Sequence, residues 1–287
     1  MIAIRAPWRR RKSQLLLVLM GLAFLACLVP LASLLFTLVV KGAPVLSFRF
    51  LTGPSKPVGE SGGIAHAVIG SFCLLLAASL FAVPLGLAKG IYLAQRGETG
   101  LARFTRLVLD VMTGVPAIIV GVFIYTLVVR RSGVSLGGGY SLIAGGLALG
   151  MIMLPIFART SEQALRAIPR SVDEAGLALG LTRRRVILRI LLRSAMPGVL
   201  TGIFLALARV AGEAAPLLFT AFGSNAWPTS PTEPVGSLPY LLFDYAQSPF
   251  PELVRQAWGA ALVLVALILG IRLLTHGYTH LREARGT

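Results

Sequence analysis

Long apolar runs alternate with short polar segments along this chain. Six runs are long enough to matter: Leu15–Val40, Ile64–Ala88, Leu107–Val129, Ser141–Ala158, Pro197–Phe222 and Ala257–Thr275. A hydrocarbon core of about 30 Å needs roughly 20 residues of helix. All six meet that length, the glycine-rich fourth most narrowly. The pattern predicts an all-α integral membrane protein with six transmembrane helices. Pro30, Pro84, Gly114 with Pro116, and Gly145 with Gly146 interrupt the runs. Such residues predict ordinary kinks and close helix packing. In the last outer loop, 223–256, the segment Leu238–Phe243 is too short to span. It predicts a surface or re-entrant helix.

The basic residues orient the spans. Segments 1–14, 89–106, 159–196 and 272–287 hold 20 Lys and Arg, whereas 41–63, 130–140 and 223–256 hold 6. The excess alternates along the chain, which places both termini in the cytoplasm. The expected organisation has three parts. Residues 1–63 form a cytoplasmic tail, first span and outer loop. Residues 64–275 form the transmembrane core with a cytoplasmic loop at 159–196. Residues 276–287 form a cytoplasmic tail.

Composition excludes the soluble alternative. Hydrophobic residues make up 56% and charged residues 13%, against roughly 25% charged in soluble domains. The net charge of +16 does not indicate nucleic acid, because the excess lies in loops between apolar runs. Cys27 and Cys73 each lie inside an apolar run, where they are expected to be small packing residues. The run around Cys27 continues to Val40, unlike a cleaved lipoprotein signal. His66, His276 and His280 make no metal motif. His276 and His280 stand at i,i+4 near a membrane edge and are expected as an interfacial pair.

The loop 159–196 contains short helices with explicit stops. Pro169 ends one helix. Ser171 and Glu174 have capping-box spacing and predict a helix over Val172–Leu179. Gly180 is a natural terminator, and Thr182 is placed to cap a basic helix after it. Leu177, Ala178 and Leu179 give the short helix an apolar surface suited to docking into a groove. The basic helix after Thr182 also suits a membrane surface.

Glu174-Ala175-Gly176, Gly180, Ile190 and Leu192 resemble the E-A-A loop of ABC importer permeases. The resemblance implies a coupling helix that inserts into a cleft of a cytoplasmic ATPase, with Glu174, Ala175, Gly176 and Gly180 as coupling residues. Two positions depart from the family pattern: Gly176 replaces alanine, and Arg193 stands where proline is usual.

The fifth run places Arg209 near its middle and Glu213 four residues on, one turn away on the same face. A cation there costs about 2.5–3.5 kcal/mol on insertion scales. Replacing a buried ion pair by apolar residues is often neutral or stabilising, so a pure stability role is unattractive. The arginine fork matches a tetrahedral oxyanion; a structural pair within the bundle is the other reading.

The string Arg209-Val-Ala-Gly-Glu213-Ala-Ala-Pro216-Leu-Leu resembles the R-x-x-G-E-x-A-P-L-L run of phosphate-specific permeases. Gly62-Gly63-Ile64, Gly114-Val115-Pro116 and Pro197-Gly198 agree with it. The chain is thereby similar to phosphate ABC importer permease subunits of the PstA type. The resemblance implies the type I, MetI-like architecture in a bacterial inner membrane. It makes Arg209 and Glu213 substrate-pathway residues. Arg159 becomes a second family cation, its other reading being an interfacial anchor. It also implies partners: a homologous permease (PstC type), two ATPase subunits (PstB type), and a periplasmic or extracytoplasmic phosphate-binding protein (PstS type). No G-x-x-x-x-G-K-[ST] loop occurs in the chain, so ATP and Mg are expected to be used by the ATPase partners. This chain is expected to be a transporter subunit rather than an enzyme and to bind no cofactor or metal. A molybdate or sulfate permease, and an ion-coupled secondary transporter, are the alternatives.

Overall fold

The computed structural model describes residues 6–57, 60, 62–130 and 138–283. These residues are helical apart from turns, loops and one isolated bridge between Phe222 and Val235.

The first helix, α1 (Ala6–Gly42), is exposed over most of its length. Its apolar span Lys12–Val45 contains an 18-residue window of mean hydropathy 2.7 in which no residue is buried by the rest of the chain. Lipid is the solvent that suits such a surface. Cys27 is exposed on α1. Among the described residues it is therefore not packed as expected, whereas Cys73 is partly buried. Near its end α1 meets α12 (Pro251–Glu283). A Cβ on Gly42 would fall 2.7 Å from the Trp258 carbonyl oxygen. Lys41 Nζ lies 4.8 Å from the centre of the Trp258 ring.

The centre of the fold is the pair α3 (Ala65–Arg96) and α6 (Leu142–Arg166). Missing side chains bring their backbones together. A Cβ on Gly146 would meet Ala77 Cβ at 2.5 Å, and one on Gly90 would meet Ser161 Cβ at 2.6 Å. The contacts advance together along both helices, so α3 and α6 run parallel. Helix α9 (Leu192–Val210) packs antiparallel to α6, with Gly198 against Ala164 and Gly202 against Thr160. These relative directions agree with alternating spans. Phe157, Met153, Leu74, Val210 and Leu93 fill the principal core.

Two spans differ from the hydropathy reading. The third is broken rather than merely kinked. Helix α4 (Gly100–Gly114) and the segment Ala117–Val129 meet at an angle of 101°. That segment comprises α5 (Ala117–Ile124) and a π turn over Tyr125–Val129. Val115 is extended and Pro116 supplies no N–H, so the helical ladder stops there. The fifth helix also ends early, at Val210. After a turn, α10 (Leu217–Thr220) follows Pro216. Its apolar span instead reaches back to Arg183.

A second core closes one end of the bundle. Short helix α2 (Phe48–Thr52) is capped by Ser47, whose hydroxyl accepts from the Phe50 N–H at 3.1 Å. Phe50 is buried with Ile64, Leu238, Leu241 and Ala260. The short helix expected in the last outer loop is present as α11 (Leu238–Ala246). Ser237 caps it, and the buried Ser71 hydroxyl accepts from the Leu238 N–H at 2.8 Å. Packing against α12 and α3 makes α11 part of the fold.

Candidate functional site

The expected coupling segment forms helix α7 (Arg170–Ala178). Its start corrects the capping-box reading. Pro169, with φ −58° and ψ 140°, occupies the N-cap position and has no side-chain acceptor. Ser171 therefore lies inside the helix, where its hydroxyl cannot cap. The proline sets the entry geometry instead. Gly180 has φ +78°, a conformation that favours glycine, and ends the segment. Thr182 holds the N-cap position of α8 (Arg183–Arg185) without a side-chain hydrogen bond, so its carbonyl but not its hydroxyl serves the helix.

The four expected coupling residues divide by environment. Glu174, Ala175 and Gly180 are exposed, and Gly176 is buried. A Cβ on Gly176 would stand 3.0 Å from Val186 Cγ2 and 3.2 Å from Ile190 Cδ1. This tight seat gives glycine a local reason at the position where the resembling family has alanine. Val186 and Ile190 belong to a π turn over Val186–Leu191, between α8 and α9. Leu179 is 80% exposed, and Leu177 is exposed beside it. The apolar surface read from the sequence thus faces away from this chain. A polar cavity of about 530 Å³ adjoins α7, lined by Gln95, Glu98, Arg166, Asp173, Glu174 and Arg183 among others. Arg183 donates to Gln95 Oε1 at 2.9 Å, which ties α8 to the end of α3.

Arg209 occupies the last turn of α9 rather than the middle of a continuous span. Glu213 lies beyond the helix end, yet its carboxylate pairs with the Arg209 guanidinium. Side-chain exposure is 58% for Arg209 and 15% for Glu213. The carboxylate is sheltered while the guanidinium stands open on the surface of the isolated chain. A fork of donors held by one carboxylate keeps further N–H groups available to an anion. Nearby, a Cβ on Gly121 would fall 2.7 Å from Pro216 Cα. Helix α5 is thereby packed directly against the turn that carries Glu213.

Arg159 belongs to a charge network that sequence reasoning missed. Its Nε donates to Asp110 Oδ1 at 3.1 Å, and its Nη1 donates to Glu162 Oε2 at 3.2 Å. Glu162 is the hub, with a side chain only 4% exposed. Its Oε1 accepts from Arg106 Nε at 2.9 Å and lies 3.2 Å from Arg166 Nη2. Arg106 also donates to the carbonyls of Leu93 and Gly97, at 3.1 and 2.8 Å. These bonds satisfy carbonyls at the end of α3. The network joins α3, α4 and α6, and its three arginines balance Glu162, Asp110 and Glu98 in formal charge. The available sequence signal was Glu162 at i,i+3 from Arg159 and i,i+4 from Arg166.

Among the described residues, no three His, Cys, Asp or Glu side chains form a metal-binding group. The side chains of His276 and His280 lie outside the described residues. His66 is buried near the start of α3.

The membrane-length helices define a polytopic α-helical membrane protein, with an exposed short helix on one loop and an open arginine where the fifth helix ends. Residues 82–283 match the family described as "Binding-protein-dependent transport system inner membrane component", and the chain belongs to that family. Relatives are similar over nearly the whole chain. The "Phosphate transport system permease protein PstA" of Yersinia pestis is 40% identical over 272 residues, covering 94% of this chain and 90% of the relative. The protein of that name from Xylella fastidiosa strain 9a5c is 41% identical over 238 residues, covering 83% and 82%. A "Probable phosphate transport system permease protein PstA" from Methanocaldococcus jannaschii is 38% identical, covering 92% of each chain. Solved structures agree on the fold. A chain of a bacterial alginate ABC transporter has a TM-score of 0.67 at 15% identity, covering 93% of this chain and 95% of that one. A chain of the inward-facing MetNI methionine ABC transporter has a TM-score of 0.55 at 22% identity, covering 75% and 91%.

Proposed function

We propose that this chain is a permease subunit of an ATP-driven inorganic phosphate importer. The observation that carries this reading is similarity to PstA-named phosphate permeases, at 40% identity over 94% of the chain. The exposed Arg209 guanidinium, held by the sheltered Glu213, supplies matching oxyanion chemistry. In this reading, both termini face the cytoplasm of a bacterial inner membrane.

A homologous permease of the PstC type completes the translocation path beside Arg209. An extracytoplasmic PstS-type protein delivers phosphate to the outer loops. Two PstB-type ATPases dock on α7 and its counterpart, with Glu174 and Ala175 at the contact and Gly176 and Gly180 shaping it. ATP and Mg belong to those ATPases. Closure of the ATPases displaces α7, and the α7 contact with Val186 and Ile190 passes that movement to α9. Arg159 and Glu162 hold α4 against α6 on the same side of the bundle.

The test is phosphate uptake into vesicles containing this chain, with each partner added or withheld. Uptake that needs the ATPase, second permease and binding protein together supports the reading. Uptake by this chain alone under an ion gradient contradicts it.

A further inference from the structure

Three arginines, Arg185, Arg189 and Arg193, follow at four-residue steps through the junction between α8 and α9. All three are exposed, and among the described residues no ion pair engages any of them. Beside them Leu188, Leu192 and Met196 repeat at the same step. Leu188 is 48% exposed despite its size. The two rows border an open groove of about 710 Å³, lined by Leu188, Arg189, Leu192, Arg193 and Met196. The π turn Val186–Leu191 carries Leu188 and Arg189.

Position on the helix separates this groove from the Arg209 site. At 3.6 residues per turn, Arg193 and Arg209 stand about 160° apart around α9. Leu200 and Phe204, by contrast, fall within about 20° of Arg193. Both are partly exposed. The arginine face therefore becomes apolar farther along the same span, as a surface does when it passes from headgroups into acyl chains.

We propose that this groove binds an anionic phospholipid. Its phosphodiester is held by Arg189 and Arg193, and its acyl chains lie along Leu192, Met196 and Leu200. Arginine matches a phosphate oxyanion through paired donors. A net negative headgroup is favoured over a zwitterionic one, because the groove holds no acidic residue. Arg193 is central to the site and is one of the two positions at which this chain departs from the pattern it resembles.

The test uses the purified full chain, delipidated in detergent and titrated with phosphatidylglycerol or phosphatidylcholine, with bound lipid counted by native mass spectrometry. Phosphatidylglycerol is expected to bind more tightly. Each arginine changed to Gln should weaken that preference roughly fivefold, so R189Q/R193Q should come close to losing it. R184Q, outside the row, should retain it. R189K/R193K keeps the charge and should retain most of the preference, which separates lost charge from lost folding. Inorganic phosphate should not displace the lipid; displacement would assign the arginines to free phosphate and overturn the proposal. Equal binding of the two lipids by the parent chain would overturn it. So would an unchanged preference in R189Q/R193Q.

Discussion

Arg106 Nε donates to Glu162 Oε1 at 2.9 Å, joining α4 to α6 across 56 positions of sequence. The same carboxylate is within ion-pair distance of Arg159 and Arg166. Three cations thus share one buried carboxylate, with Asp110 and Glu98 completing the charge balance at the exposed rim. Removing one member of a buried pair costs about 3–5 kcal/mol, because the other is left uncompensated. Glu162→Ala should therefore destabilise the folded chain by about 3 kcal/mol, measured by unfolding in mixed micelles. Glu98→Ala, at the exposed rim, should cost under about 1 kcal/mol. Equal effects of the two changes would remove Glu162 from its place as hub.

Helix α7 makes a graded prediction at Gly176. A Cβ there stands at the edge of what Val186 and Ile190 accommodate. Gly176→Ala should fold with a loss below about 1.5 kcal/mol, whereas Gly176→Leu should cost about 1–3 kcal/mol through overpacking. The leucine should also reduce ATPase association, measured by co-purification. Normal association in Gly176→Leu would show that α7 need not rest on the π turn.

The charge and the stop of α7 are separable. Glu174→Lys should uncouple ATP hydrolysis from uptake while the membrane helices stay folded, because Glu174 is exposed. Gly180→Ala places a Cβ at φ +78° and should cost about 1–2 kcal/mol. Phosphate moved per ATP hydrolysed checks the first, and unfolding in mixed micelles checks the second. Unchanged coupling in Glu174→Lys would contradict docking through this helix.

Gly121 fixes a third contact. Its Cα hydrogen faces the Pro216 backbone so closely that any side chain must displace the turn carrying Glu213. Gly121→Val should lower uptake at least as strongly as it lowers stability. Normal uptake in that variant would separate the α5–α10 contact from the Arg209–Glu213 pair.

The helices that matter most for architecture were legible, because hydropathy records which segments prefer lipid. Hydropathy is blind to where a helix breaks inside an apolar run. The third run therefore read as a span merely kinked at Gly114 and Pro116, and the fifth as continuous through Gly212 and Pro216. Ser171 and Glu174 had the spacing of a capping box, but Pro169 starts the helix two residues earlier. Gly180 was legible because its role is local. Glu162 was legible only in part: Arg159 and Arg166 flank it on one helix, but Arg106 and Asp110 join the network only when α4 folds back on α6. The Arg209–Glu213 pair was read from adjacent positions. Its open, one-sided exposure required the fold.

Arg209 carries the central claim, and one comparison tests it. The complete complex would be reconstituted with parent chain or Arg209→Gln, and ATP-driven uptake of labelled phosphate measured at matched subunit content. The account predicts near-complete loss of uptake in the variant, with the subunits still assembled. Undiminished uptake by an assembled Arg209→Gln complex would contradict a role for this guanidinium in the phosphate path.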